Sequence, residues 1–296
     1  MKMFEGRVAI VTGAGRGLGR EHALLLAAQG ASVVVNDLGG GTDGSGGDDS
    51  PAASVVAEIV DAGGSAVANA NDVSDWDGAA RLVEQAVSEF GRLDVLINNA
   101  GILRDRMLVN LSEDEWDVVM RVNAKGHAAP LRHAAAHWRA RAKAGEDVAA
   151  AVVNTSSPSG LFGNVGQSNY GAAKMAVAGL TMIAAKELAP YGVRVNAIAP
   201  AARTRLTGDG SGTSRDPAEF DRMDPANVSP WVAYLASDRC TMTGRCFVVY
   251  GGSVVLVEPW RATASLESPG RWSLEELVER GAELDVEFDN NNPFDY

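Results

Sequence analysis

The sequence predicts an α/β fold: a Rossmann-like, doubly wound parallel sheet of about seven strands with helices on both faces. Three observations predict it. Residues 7–37 read as strand, glycine turn, helix, strand, the unit that parallel sheets are built from. Buried β-branched runs then alternate with amphipathic helical stretches as far as Val257. Polar side chains fall just after the strand runs, as in Asn98–Gly101 and Ser157, where open parallel sheets hold ligands.

Taken in order, RVAIVT at 7–12 is a short apolar run and reads as a buried strand. The turn TGAGRGLGR follows, then the periodic helix EHALLLAAQG, which ends at Gly30. ASVVVND is the second strand. In this context Gly13, Gly17 and Gly19 let the backbone approach a pyrophosphate seated at a helix N-terminus. Leu18 stands where the strict G-x-G-x-x-G pattern has its last glycine. Asp37 closes the second strand, twenty residues after Gly17. A carboxylate there accepts ribose hydroxyls and repels a 2′-phosphate, which favours NAD over NADP. Arg16 in the turn pulls the other way, and a turn cap is the plainer role for Asp37.

Residues 39–50, GGGTDGSGGDDS, read as a mobile low-complexity insertion. A helix is predicted at 51–62, then a strand within SAVANANDVSD. Asp72 is placed either to reach an adenine amino group or to cap the helix from Trp76, and Val73 lies beside it. LDVLINNAG is the fourth strand, with Asn99, Ala100 and Gly101 at its ligand end. Two helices follow, the first opened by a capping box of Ser112 and Glu115. Asn123 is either a core hydrogen bonder or the holder of a water near the site. His133 and His137 share a helix face, but no third ligand accompanies them, so no metal site is expected.

The stretch NTSSPSGLFGNVGQSNYGAAK carries the chemistry. It ends a strand, crosses a glycine loop and starts a helix near Ser168. Tyr170 and Lys174 are four residues apart and share a face of that helix. A lysine charge roughly 6 Å from a phenol, at an effective dielectric of ~20, favours the phenolate by roughly 2.8 kcal/mol, or about two pKa units. Such a phenol takes a proton from an alcohol or returns one to a ketone. Ser157 is placed to hold the same substrate oxygen. A bare Tyr-x-x-x-Lys is otherwise an ordinary surface pair. VRVNAIAP is the sixth strand; Pro200 and Thr204 in its exit loop are placed to meet a nicotinamide carboxamide. Residues 205–227 read as a substrate lid or a disordered connector. NVSPWVAYLASDR is a helix, and RCFVVYGGSVV a final strand and turn. Residues 258–296 read as a tail packing on the domain or on a neighbouring subunit.

Composition narrows the function. A net charge of −12 without a basic stretch argues against nucleic acid or an anionic membrane surface as partner. Two cysteines rule out a disulfide framework and fit a reducing compartment. No signal peptide or transmembrane run is read, so a cytoplasmic protein is expected.

TGAGRGLG, Asp72, NNAG at 98–101, Asn123, Ser157, and Tyr170 with Lys174 together resemble the short-chain dehydrogenase/reductase family over about residues 5–257. Ser157 stands thirteen residues before Tyr170, the family's usual spacing. VVVNDLGG, the insertion, AGILRDR and GNVGQSNYGAAK look most like the (3R)-hydroxyacyl-CoA dehydrogenase unit of peroxisomal multifunctional enzymes of type 2. The resemblance implies Asn123, Ser157, Tyr170 and Lys174 as the catalytic quartet. It also implies a nicotinamide cofactor, which Asp37 narrows to NAD, an acyl-CoA or steroid alcohol as substrate, and a homodimer or homotetramer. An NADPH-dependent 3-oxoacyl carrier-protein reductase is the alternative. Ala201 departs from the glycine usual after Pro200, and the tail matches no family pattern.

Overall fold

The structure, a computed structural model, describes residues 2–47, 50–203, 220–258 and 260–286. The chain divides into one unit of residues Met1–Val257 and a second of Glu258–Tyr296. In the first unit the strands are β1 Val8–Thr12, β2 Ser32–Asn36, β3 Ser65–Asn69, β4 Val95–Asn98, β5 Ala150–Thr155, β6 Val193–Pro200, β7 Cys246–Tyr250 and β8 Ser253–Val257. They form one sheet in the order β3-β2-β1-β4-β5-β6-β7-β8. Seven run parallel, and β8 returns antiparallel against β7, with Val248 opposite Val255. The final strand is therefore a hairpin, and the sheet has eight strands where the sequence predicts about seven. Gly251 makes the hairpin possible, because its φ of +51° lies in the left-handed region.

The helices are α1 Gly17–Ala28, α2 Ser50–Asp61, α3 Trp76–Phe90, α4 Glu113–Val119, α5 Gly126–Lys143, α6 Pro158–Leu161, α7 Ser168–Leu188 and α8 Ser229–Ala236, with α9 Leu274–Arg280 in the second unit. One turn of π-helix, Met120–Lys125, joins α4 to α5. Strand residues alternate between the two faces of the sheet. Ala9 and Val11 pack with α1, α2 and α8; Val8 and Ile10 pack with α3, α5 and α7. Burial on both faces explains why these strands read as continuous apolar runs. Among the described residues no helix is long and apolar enough to cross a membrane.

Strand order reverses between β1 and β4, which pair directly. A crevice opens at that reversal, beyond the C-terminal ends of the strands. The first helix begins at Gly17, four residues before the predicted Glu21. Glycines disguise this turn in a periodicity reading because they contribute no apolar face.

Candidate active site

The crevice is lined by Gly13, Arg16, Gly17, Leu18, Asp37, Asp72, Val73 and Asn99–Ile102, among others. Gly13 and Gly17 adopt φ of +62° and +54°. A Cβ on Gly13 would lie 2.8 Å from the Ala100 Cα, and one on Gly19 would lie 2.2 Å from the Gly13 carbonyl oxygen. Bare backbone therefore faces the crevice at the start of α1, a cradle that fits a dinucleotide pyrophosphate. Thr12 fastens this cradle, a role unseen in the sequence. Its hydroxyl accepts from the backbone N–H of Asn99 at 2.9 Å and of Ala100 at 3.1 Å. The Asn99 amide donates back to the carbonyls of Thr12 and Gly13. Asn99 thus braces the glycine turn through its side chain. Gly19→Ala is expected to cost roughly 1–3 kcal/mol through this clash and to weaken dinucleotide binding at least about tenfold, read by thermal melting and fluorescence titration.

Asp37 ends beside β2 and holds two loops. One carboxylate oxygen accepts from Gly15 N at 2.7 Å, the other from Gly39 N at 2.7 Å. The turn-cap role is therefore real, and the carboxylate still lines the crevice. Arg16 is exposed at its mouth. Asp72 accepts from the backbone and hydroxyl of Ser74 and meets Arg121 at 3.4 Å. The cap of α3 is Asp75, which accepts from Gly78 N at 2.8 Å. Asp72 is thus not the helix cap; the cap sits one residue before Trp76, as cap geometry requires.

The insertion is not a free loop over its described part, residues 39–47. Gly40, Gly41, Thr42 and Gly44 line the crevice, and Thr42 accepts from Leu103 N at 3.0 Å. Arg104 pairs with Asp43 at 3.8 Å. Low complexity in sequence signalled the missing core side chains but not these main-chain bonds. Asn36, Asn71, Ile102, Arg121 and Val122 also line the crevice and carry no motif signal. Pro200 ends β6, half-buried, while Thr204 and most of the predicted lid lie outside the described residues.

Beyond β5 and at the start of α7 the predicted quartet comes together. Lys174 is only 2% exposed, and its ammonium donates to the Thr155 carbonyl at 2.8 Å. It lies 5.6 Å from the Tyr170 ring centroid. Ser157 caps α6, and its hydroxyl lies close enough to the Tyr170 phenol to favour its ionised form. The Asn123 amide is fully used in packing. It donates to the carbonyls of Ile102 and Val119 and accepts from Ile102 N at 3.3 Å. The core reading of this side chain therefore holds, and it fixes the backbone at Gly101–Ile102. A Cβ on Gly101 would lie 2.6 Å from the Asn123 Oδ1 and 3.6 Å from the Lys174 Nζ, so the two groups flank one backbone segment.

The proton equilibrium runs opposite to the sequence estimate in the protein alone. Burial pushes the Tyr170 phenol up to about 12, against a smaller pull from Ser157. Burial also pulls the Lys174 ammonium down to about 7. The sequence estimate counted the charge–charge attraction and left out desolvation, which disfavours both charged forms. Arg106 pairs with Glu115 at 2.8 Å. His133 stacks edge-on against Trp76, with ring centroids 5.4 Å apart.

Comparison with known proteins agrees with this geometry. The family model described as short chain dehydrogenase matches residues 7–209. A short-chain type dehydrogenase/reductase of Mycobacterium tuberculosis is 44% identical over 96% of both chains. The hydroxyacyl-CoA dehydrogenase ChsB1 of the same organism is 45% identical over 93% of this chain and 87% of its own. The peroxisomal multifunctional enzyme type 2 of Drosophila melanogaster is 46% identical over 81% of this chain, which spans 38% of that enzyme's length. The crystal structure of a short chain dehydrogenase from Mycobacterium avium superposes with a TM-score of 0.85 at 51% identity, covering 95% of each chain. The chain belongs to the short-chain dehydrogenase/reductase family, oxidoreductases that act on CH–OH groups with a nicotinamide dinucleotide.

Proposed function

We propose that this enzyme interconverts a secondary alcohol and a ketone with NAD, and that its substrate is a 3-hydroxyacyl-CoA or a hydroxysteroid. The observation that carries the proposal is the Tyr170 phenol, with Ser157 close by and buried Lys174 5.6 Å from its ring centroid, next to the glycine cradle. When bound, the oxidised dinucleotide supplies the hydride acceptor and a positive charge beside the phenol. Tyr170 takes the proton from the substrate hydroxyl, or returns it to the ketone in the reverse direction. Ser157 orients the substrate oxygen by hydrogen bonding. Lys174 favours the phenolate whenever it carries its own proton.

An apolar substrate is supported by exposed apolar side chains near the start of α7. Leu108, Val109 and Val165 stand exposed in two segments that Arg106 N ties to the Gly166 carbonyl at 2.7 Å, just before Ser168 opens that helix. The hydroxyacyl-CoA dehydrogenase name of the 45% identical relative favours a thioester substrate. Exposed Val254 and Leu256 on the outermost strand support self-association as a homodimer or homotetramer. A screen for NADH formation across hydroxyacyl-CoA and hydroxysteroid panels tests the substrate. No turnover on either panel rejects it.

The alternative, an NADPH-dependent 3-oxoacyl carrier-protein reductase, draws on exposed Arg16 and on the Synechocystis reductase of that name, 37% identical over 86% of this chain. Asp37 decides between them. NAD is expected to bind at least about tenfold more tightly than NADP, because a 2′-phosphate beside this carboxylate is repelled. In Asp37→Asn the gap narrows, since the amide removes the repulsion while keeping the side chain's size. Fluorescence titration with both dinucleotides measures it, and tighter NADP binding by the unaltered enzyme rejects Asp37 as selector.

A further inference from the structure

His127 sits at the start of α5, fully buried. Neither of its ring nitrogens has a hydrogen-bond partner in the protein. The ring lies against main-chain groups of Thr155 on β5, Asn98 on β4 and Asn123 in the π-turn, and within the field of Lys174 on α7. Lys174 is the charged group that acts on it most strongly. Two of the same neighbours carry further buried atoms without partners, the Asn98 Oδ1 and the Thr155 Oγ1. The Asn98 amide meanwhile donates to the His127 carbonyl at 3.3 Å and to Asn154 at 3.0 Å, which fixes the backbone under the ring.

An unmet buried polar atom costs roughly 1–3 kcal/mol, so four of them around one lysine call for an occupant. Buried water is the usual one where several polar groups converge. The Thr155 carbonyl, which already accepts from Lys174, brings that ammonium next to the ring.

We propose that His127, through bridging water, is the inner link of a buried proton path that serves Lys174 and, through it, Tyr170. The inference rests on the Tyr170–Lys174 reading above. Each alcohol oxidised leaves one proton from the substrate hydroxyl on the Tyr170 oxygen, and that proton must depart before the next cycle. A neutral imidazole accepts a proton at one nitrogen and releases one from the other, which leaves it neutral as the opposite tautomer; proton exchange with the bridging water restores the first tautomer before the next transfer. Burial and the neighbouring ammonium hold the ring well below the usual histidine range, which keeps it neutral between transfers. His127 is thus a positioning and relay residue, and it does not touch substrate.

The test compares His127→Phe, which keeps a ring but no nitrogen, with His127→Gln, which keeps donor and acceptor. Both are assayed as full-length enzyme with NAD and the alcohol found by the substrate screen. In the Phe variant kcat near pH 7 is expected to fall about tenfold. The rising limb of its pH–rate profile moves upward by at least about half a unit, because the phenol loses its proton outlet and a stabilised lysine charge. KM and NADH affinity stay within about twofold, and Gln recovers most of the rate. Phe kinetics equal to the unaltered enzyme overturn the inference, as do equal losses in Phe and Gln without a shifted limb. Should the Phe protein not fold, ¹⁵N NMR of the unaltered enzyme decides: a neutral His127 ring at pH 7 supports the relay, and a charged ring overturns it. Unchanged His127→Phe kinetics beside an inactive Tyr170→Phe enzyme remove this inference alone; turnover in Tyr170→Phe removes the reading beneath it.

Discussion

Tyr170→Phe is expected to lower kcat by about a thousandfold or more, the middle to upper range for removing a general acid–base group. Dinucleotide affinity should change by less than about threefold, because the glycine cradle and Asp37 do not depend on the phenol. Stability should change by no more than about 1 kcal/mol, since the variant loses only the hydroxyl and its interaction with Ser157. The pH dependence has a definite sign. With the phenol pushed up to about 12 in the protein alone, the proton-accepting form is scarce at neutral pH. Alcohol oxidation therefore accelerates as pH rises, and ketone reduction, which needs the protonated phenol, is favoured as pH falls. NADH formation followed at several pH values reads both limbs. A Phe variant with substantial turnover, or an oxidation rate that falls from neutral to alkaline pH, would falsify the assignment of Tyr170 as the proton-transfer group.

The fold was legible because the inner strands are buried on both faces and so carry unbroken apolar runs, as in Val8–Val11 and Val33–Val35. Tyr170 and Lys174 were legible as a pair because helix geometry turns a spacing of four into a shared face. What escaped had no side-chain periodicity to betray it. Residues 39–47 are held by main-chain bonds such as Leu103 N to the Thr42 carbonyl. The start of α1 is glycine, and β8 is a second apolar run that a turn at Gly251 folds back. Thr12 looks like any strand-end hydroxyl until the neighbouring strand brings Asn99 and Ala100 to it. The proton affinities of Tyr170 and Lys174 were the largest reversal. They depend on burial, a property of the assembled fold, whereas sequence spacing reports only which charges are near.

Lys174→Met turns that burial into a second measurement. The variant should lose about a thousandfold in kcat, because the phenol no longer has a cation to favour its ionised form. Its stability should move the other way. Burial pulls Lys174 from the ordinary lysine value of 10.5 down to about 7, so the folded protein binds its proton less well than the unfolded chain does. Folding is therefore penalised below pH 7, and stability rises with pH between the folded and unfolded values. At about 1.4 kcal/mol per unit the penalty near pH 6 is on the order of 5 kcal/mol. Methionine escapes it but leaves the Thr155 carbonyl without its donor, at a cost of roughly 1–3 kcal/mol. The variant should be more stable than the parent by about 3 kcal/mol at pH 6, and the advantage should vanish by about pH 9 as the parent's lysine discharges. Thermal melts of both proteins across that range give the comparison. A stability difference that does not vary with pH would show that the buried ammonium carries no penalty. A penalty of the expected size means that folding is opposed by the same cation that makes Tyr170 reactive, as strained catalytic sites often require.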